Sequence, residues 1–367
     1  MILKSLLAFF LFFLSAHLYA EESVLSEPKP SRTVIIHHPS LSTIQQQAPE
    51  RFEPSAEPLK IAVLSSPKVI GKYSQSIYNV SLATMMGLKK GQYDLKRYDI
   101  SDESSEAIGQ ALVQIRGDGF NAILAPLTAQ GAKNLLALET RLPIFIPTVH
   151  KRDYSGSSDN IVFGAIDYES QIEALMPYMS NSIAIFYDKS FVGEMLKSKT
   201  ESLFLASNAA KKQVSSYPVD IKGDKIVSHL SKPSAFNKKS IIVHIPVVKT
   251  SILAAHLTFT GVREKNILST QINVDPTLLT LTQYADRKNM ILANSLTEFP
   301  DAIYQANDMM GNDITFDWVH YATSVGIDYL VSVLDRTPRS YSMRINNAQV
   351  IYPIELLRAQ EFGFEPI

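Results

Sequence analysis

Residues Lys60–Asn79 read KIAVLSSPKVIGKYSQSIYN. The apolar run Ile61–Leu64 stops at Ser65-Ser66-Pro67, and beyond Gly71 the apolar residues take up helical spacing. Ile77, Val80, Ala83, Met85 and Met86 then fall near one face of a helix expected over Gln75–Lys90. A short strand, a tight polar loop and a helix are the repeating unit of an α/β sheet. The unit recurs. Strands are expected at Lys60–Leu64, Asp94–Tyr98, Ala122–Pro126, Ile144–Pro147 and Ile161–Gly164, then at Ser182–Tyr187, Val214–Pro218, Ile241–Ile245, Ile267–Ile272 and Met290–Ala293. Helices are expected at Glu106–Gly117, Gln130–Glu139, Ser170–Met179, Phe191–Ser207, Val248–Phe259, Thr277–Ala285 and Phe316–Leu334. Near-continuous apolar strands alternating with helices mean parallel sheets covered on both faces.

Ten such strands exceed one comfortable open sheet of this kind, so the expected fold is α/β with two similar lobes. Each lobe is a parallel sheet with helices on both faces, and hinge crossovers join the two. The first lobe is expected to take residues 59–148 plus about 297–367, and the second 149–296. The alternating stretch from Tyr341, centred on Asn346-Asn347, reads as a hairpin because Asn tolerates positive φ.

The 367 residues are 46% hydrophobic and 19% charged, with a net charge of −1. That balance argues against a nucleic-acid binder. Met1–Lys4 is a short positive segment, Leu6–Leu14 (LLAFFLFFL) is apolar, and SAHLYA follows, so residues 1–20 read as a secretory signal. Leu18 stands where a small residue is usual before the cleavage point, so membrane attachment follows only if the signal is retained. With no cysteine, neither a lipid-modified Cys nor a disulfide framework is available, which fits a bacterial periplasm. Residues 21–58 carry six prolines and no sustained apolar period, and read as a flexible linker interrupted by the β-prone run Thr33–Ile36.

In a parallel α/β sheet, ligands meet the carboxyl ends of the strands. Two loops there look alike: Ser65-Ser66-Pro67, and Ala125-Pro126-Leu127 before Thr128. Each brings a hydroxyl to a helix N-terminus, where free N–H groups suit a carboxylate, a phosphate or a polar carbonyl. The same residues also serve as plain N-caps. In the second lobe, Tyr187-Asp188 ends a strand and Phe191 starts a helix. Thr148, His150, Lys151 and Arg152 lie on the polar crossover between the lobes.

The order of KIAVL with its Ser-rich loop, GKYSQSIYNVSLATMMG, DGFNAILAPLTAQGA, LPIFIPT, NIVFGAIDYESQIEALMPYM, SIAIFYDKSFVGEML and FDWVHYATSVGIDYLVSVL resembles the type I periplasmic binding proteins, the family of branched-chain amino-acid receptors. The resemblance runs from Lys60 to about Leu334, about three quarters of the chain. ILAPLTAQGAKNLLAL and FGAIDYESQIEALMPYM are most similar to the penicillin-binding-protein activator branch, the LpoA type, which uses the fold in peptidoglycan synthesis. By position, the resemblance implies ligand contacts at Ser65, Ser66, Leu127, Thr128 and Thr148, and from Tyr187 to Phe191. It implies either a small polar ligand or a cell-envelope protein partner. Three departures stand out: Phe191-Val192-Gly193 in place of an adjacent aromatic-Gly pair, Gly164 where an Arg is frequent, and no lipid-attachment Cys.

Catalytic patterns are sparse. Ser65-Ser66-Pro67-Lys68, Ser158-Asp159-Asn160 and Lys249-Thr250-Ser251 echo the S-x-x-K, S-D-N and K-T-G order of penicillin-recognising serine enzymes. Pro67 and Gly71 put the first in a loop, and VKTSILAAHL has helical spacing, so no enzyme activity is expected. No phosphate-loop or dinucleotide motif is present, so no cofactor is expected either. His37-His38 has no third ligand at a telling spacing, and Asp308, Asp313 and Asp317 do not follow a Ca²⁺ loop.

Overall fold

The computed structural model describes residues 58–88, 92–138, 140–154, 159–207, 212–220 and 224–367, all within the compact unit Glu53–Ile367. The signal, nearly all of the linker, His37-His38 and Ser158 lie outside the described residues. The first repeat runs β1 (Leu59–Ser65), α1 (Pro67–Ile70), α2 (Tyr73–Leu88), β2 (Tyr93–Asp99), α3 (Ser105–Gly117), β3 (Ala122–Leu124), α4 (Ala129–Leu136), β4 (Ile144–Ile146) and β5 (Ile161–Phe163). The second runs α5 (Tyr168–Leu175), β6 (Ser182–Asp188), α6 (Phe191–Ala206), β7 (Gln213–Val219), α7 (Asp224–His229), β8 (Ser240–His244), α8 (Val247–Phe259), β9 (Asn266–Ser269), α9 (Pro276–Leu281), α10 (Tyr284–Arg287) and β10 (Met290–Asn294). The chain then forms α11 (Asp301–Met309), α12 (Trp318–Asp335), β11 (Arg344–Asn346), β12 (Gln349–Ile351), β13 (Glu355–Ala359) and β14 (Phe364–Pro366).

The strands make two seven-stranded sheets, β11-β12-β5-β4-β3-β1-β2 and β14-β13-β10-β9-β8-β6-β7. Each holds five parallel strands in the same doubly wound order: the first strand sits between its second and third, and the fourth and fifth follow. Strand β1 is buried along nearly its whole length, as its unbroken apolar run requires. The return helix α12 is buried on almost every side and packs across β1, β3 and β4. Gly326 permits this, since a Cβ there would collide with the Phe145 ring. Gly164 faces the same ring, which explains a small residue at that crossover.

Two expectations need correction. A second lobe beginning at Val149 is contradicted by β5, which pairs with β4 in the first sheet, Ile144 opposite Ile161. The chain crosses over only after Phe163, because Ile161, Val162 and Phe163 are buried against the first lobe's core. The final segment also does not stay in the first lobe: β13 pairs antiparallel with β10, closing the second sheet. The hairpin forms, with Asn346 paired to Gln349 and the turn one residue later than expected. Asn347 and Ala348 carry the positive φ values, 46° and 60°.

Candidate functional site

The doubly wound order creates a switch point in each lobe, between β1 and β3 and between β6 and β8, where ligands usually bind. Ser65 and Ser66 lie at the end of β1, Leu127 and Thr128 follow β3, and Tyr187, Asp188 and Phe191 lie at the end of β6, whereas Thr148 and His150 follow β4; the chain occupies much of both switch points with its own groups. Thr128 caps α4, its Oγ1 accepting from Gly131 N at 3.2 Å. Glu103, from the loop after β2, lies over the same helix end and is 8% exposed. Its carboxylate accepts from Thr128 N at 3.2 and 3.1 Å and from the Thr128 hydroxyl. Gly131 is required because a Cβ would strike that carboxylate. The second lobe repeats the device. Asp188 accepts from Ser190 N at 3.2 Å, Ser190 caps α6 through Gly193 N at 3.1 Å, and a Cβ on Gly193 would strike Asp188.

The other predicted residues divide. Ser65 is buried, its Oγ 3.4 Å from that of Ser74. Ser66 holds the N-cap position of α1 without a side-chain cap, and its buried Oγ has no partner. Leu127 is core, and Thr148 Oγ1 donates to the Leu127 carbonyl at 2.5 Å, tying two loops together. Tyr187 is half-buried beneath Lys197, whose Nζ is 5.7 Å from the ring centre, whereas Phe191 is exposed. Of the penicillin-type patterns, the first lies on β1 and α1 and the third on α8, a helix of the other lobe.

His150 marks an ionic clasp between the lobes. Arg152 pairs with Asp167 at 2.9 and 2.8 Å and with Glu169 at 2.7 Å, and Lys199 on α6 reaches Glu169 at 2.9 Å. His150 Nδ1 accepts from Arg152 N at 3.1 Å, which leaves Nε2 toward Asp167 at 3.7 Å. Burial holds the imidazole below its ordinary range, although Asp167 acts the other way. Burial also opposes the charge on Asp167, but bonds from Ser170 and the nearby His150 and Arg152 prevail and keep its carboxyl low. The crossovers are stitched as well. Tyr352 donates to the Gly164 carbonyl at 2.7 Å, and Gln349 donates to Ala165 O at 3.1 Å. Gln171, Gln271 and Ser295 form a closed hydrogen-bond loop.

A cavity of about 380 Å³ opens beside this hinge. The first lobe supplies Lys72 and Tyr73 from the start of α2, and Asp313, Phe316, Asp317 and Trp318 come from the approach to α12. The second supplies Tyr168 from α5 and Gln271, Ile272, Val274 and Asp275 from the loop after β9. Aromatic and carboxylate side chains dominate its wall. Burial and then the Asp317 carboxylate push the Tyr73 hydroxyl up to about 12. Burial raises Tyr168 too, with Tyr73 adding to it. Gln271 is 3% exposed and spends its Oε1 on Ser295 N, while its Nε2 has no partner. Among these residues Trp318 is the chain's single tryptophan. The sequence pointed to the strand ends and missed this wall, because its parts come from four distant segments. The local signals were the Asp residues that hold the turns before α9 and α12.

No family model matches the chain, and no curated protein matches it in sequence. Solved structures do match in shape. The isoleucine complex of LivJ, a branched-chain amino acid transporter substrate-binding protein of Streptococcus pneumoniae, superposes with a TM-score of 0.58 at 10% identity, covering 84% of this chain and 98% of that one. A branched-chain amino acid ABC transporter periplasmic ligand-binding protein of Burkholderia xenovorans gives 0.59 at 12% identity, covering 84% and 94%. The C-domain of LpoA from Haemophilus influenzae, a regulator of PBP1A, gives 0.56 at 11% identity, covering 84% and 99%.

The chain has the type I periplasmic binding-protein fold.

At these identities the likeness concerns the fold alone. Among the described residues no helix is long and apolar enough to cross a membrane, and no cluster of side chains is arranged to hold a metal ion.

Proposed function

We propose that this is an exported, non-catalytic binding protein of the periplasm. A small polar ligand enters the cavity between the lobes, and hinge movement reports it. One observation carries the reading: both lobes line a single polar and aromatic cavity beside the crossovers, with Tyr73 and Trp318 from one side and Tyr168 and Asp275 from the other. The export part rests on the signal-like residues 1–20 and on the periplasmic binding fold. The ligand contacts assigned by sequence position move in this reading. Glu103 and Asp188 take the helix ends at Thr128 and Ser190, so the ligand sits instead between α2, α5, α12 and the loop after β9.

A second reading makes the protein a regulator of peptidoglycan synthases. It is favoured by the outer face of α8, where Val248, Ile252 and Phe259 are exposed beside Leu281 and line an apolar groove. Thermal denaturation of the purified full chain separates the two readings. The panel holds amino acids, organic acids, nucleosides, muropeptides and alkylammonium salts. A cavity ligand at 100 times its Kd adds about 2.7 kcal/mol of stability. A flat panel, repeated after unfolding and refolding to remove carried ligand, rejects the first reading in favour of the second.

A further inference from the structure

We infer that the cavity recognises a positively charged, alkylated nitrogen on a small ligand. The inference rests on the cavity being the ligand site. Its wall presents π faces and carboxylate oxygens. Tyr73, Tyr168, Phe316 and Trp318 supply the rings, and Asp275, Asp313 and Asp317 supply the charge. The helix N-termini do not offset this with free N–H groups, because each Asp spends Oδ1 on its own backbone. Asp275 accepts from Thr277 N at 2.7 Å, Asp313 from Thr315 N and Phe316 N at 2.8 and 2.9 Å, and Asp317 from Val319 N and His320 N at 2.9 and 3.1 Å. Among the described residues, Oδ2 of Asp275 and Oδ2 of Asp313 have no hydrogen-bond partner and remain available.

The protein already seats one cation here. Lys72 is exposed, and its Nζ lies 5.4 Å from the centre of the Tyr73 ring, within the range at which a ring quadrupole attracts positive charge. A ligand ammonium would take the same face and meet Lys72 as a competitor. An anion would meet one ammonium against three carboxylates. About 380 Å³ lies at the small end of ligand sites, so the molecule is small.

Trp318 fluorescence of the full chain reads the test directly. Choline chloride and tetramethylammonium chloride are titrated against 3,3-dimethyl-1-butanol, the neutral isostere of choline, and against sodium acetate. Sodium chloride holds the ionic strength constant. The substitution is Lys72→Met, an exposed site; the three Asp residues are left alone because each holds a turn. Expected are saturable choline binding, at least about tenfold weaker binding of the isostere, and roughly threefold or greater tightening of choline in Lys72→Met. An isostere that binds as well as choline, weaker choline binding in Lys72→Met, or binding of anions alone overturns the cation inference and leaves the cavity as the ligand site. A response to none of these probes and to nothing in the wider panel overturns both.

Discussion

Replacing Glu103 with Ala probes how far the first lobe's switch point depends on its internal carboxylate. The side chain accepts from Thr128 N at 3.2 and 3.1 Å and from the Thr128 hydroxyl, and it faces the N-terminal end of α4. A hydrogen bond to a charged group contributes about 1.5–3 kcal/mol, and the helix terminus adds about 0.3–1 kcal/mol. Thr128 itself is exposed, so water restores part of the loss. The net cost expected is about 2 kcal/mol, or a fall in Tm of roughly 4 °C for a domain of this size. The assay is thermal and urea unfolding of wild type and variant in sodium chloride or in sodium acetate of equal ionic strength. Acetate should recover part of the lost stability in Glu103→Ala, because it refills a cradle of N–H groups, and should leave wild type unchanged. A loss below about 0.5 kcal/mol with no response to acetate refutes the argument that the chain fills its own anion site.

Gly193→Ala should cost about 1–3 kcal/mol in urea unfolding, because the new methyl meets both the side chain and the backbone oxygen of Asp188; a neutral result means the turn before α6 gives way freely. Gly87→Ala, at the close approach of α2 and α11, puts a Cβ 2.6 Å from the Ala302 carbonyl oxygen and should destabilise by a similar amount in the same assay. Stability should fall with acidification below pH 6.5. His244 is fully buried beside Thr200 at 2.8 Å, and burial lowers its imidazole to about 3. The unfolded chain therefore binds a proton that the folded one refuses between about pH 6.5 and 3. Stability is fully present above that window and declines through it by up to about 1.4 kcal/mol per pH unit. Unfolding of His244→Gln followed from pH 7 to 4.5 should show a shallower slope, and an unchanged slope rules out this residue as the source.

The strands were readable because β1, β4, β6 and β8 are short runs buried on both faces, where an apolar residue is needed at nearly every position. Helix α12 was readable from its length and apolar content, although the two aromatics of its first turn part company: Tyr321 is core while Trp318 lines the cavity. Helix α11 was missed because it buries little beyond Ile303 and Asn307. The crossover after β5 was misplaced because Val149–Asn160 reads as a hinge by composition, while the pairing of Ile161 with Ile144 is a tertiary fact. Within the site, Asp188 ends β6 and Thr128 caps α4, both at positions that sequence pattern indicates. No local pattern announces that Glu103, 25 residues before Thr128, closes the same helix end. The cavity wall is still less local, joining Tyr73, Gln271 and Trp318 only through the fold.

The most direct measurement is the distance between the lobes in solution. The chain has no cysteine, so Lys133→Cys on α4 and Lys189→Cys before α6 place one spin label at an exposed site on each lobe. Double electron–electron resonance is recorded without ligand and with saturating choline or the panel's strongest stabiliser. Ligand-driven hinge movement requires the distance distribution to shift and narrow on saturation. The same distribution with and without a compound that demonstrably binds contradicts it.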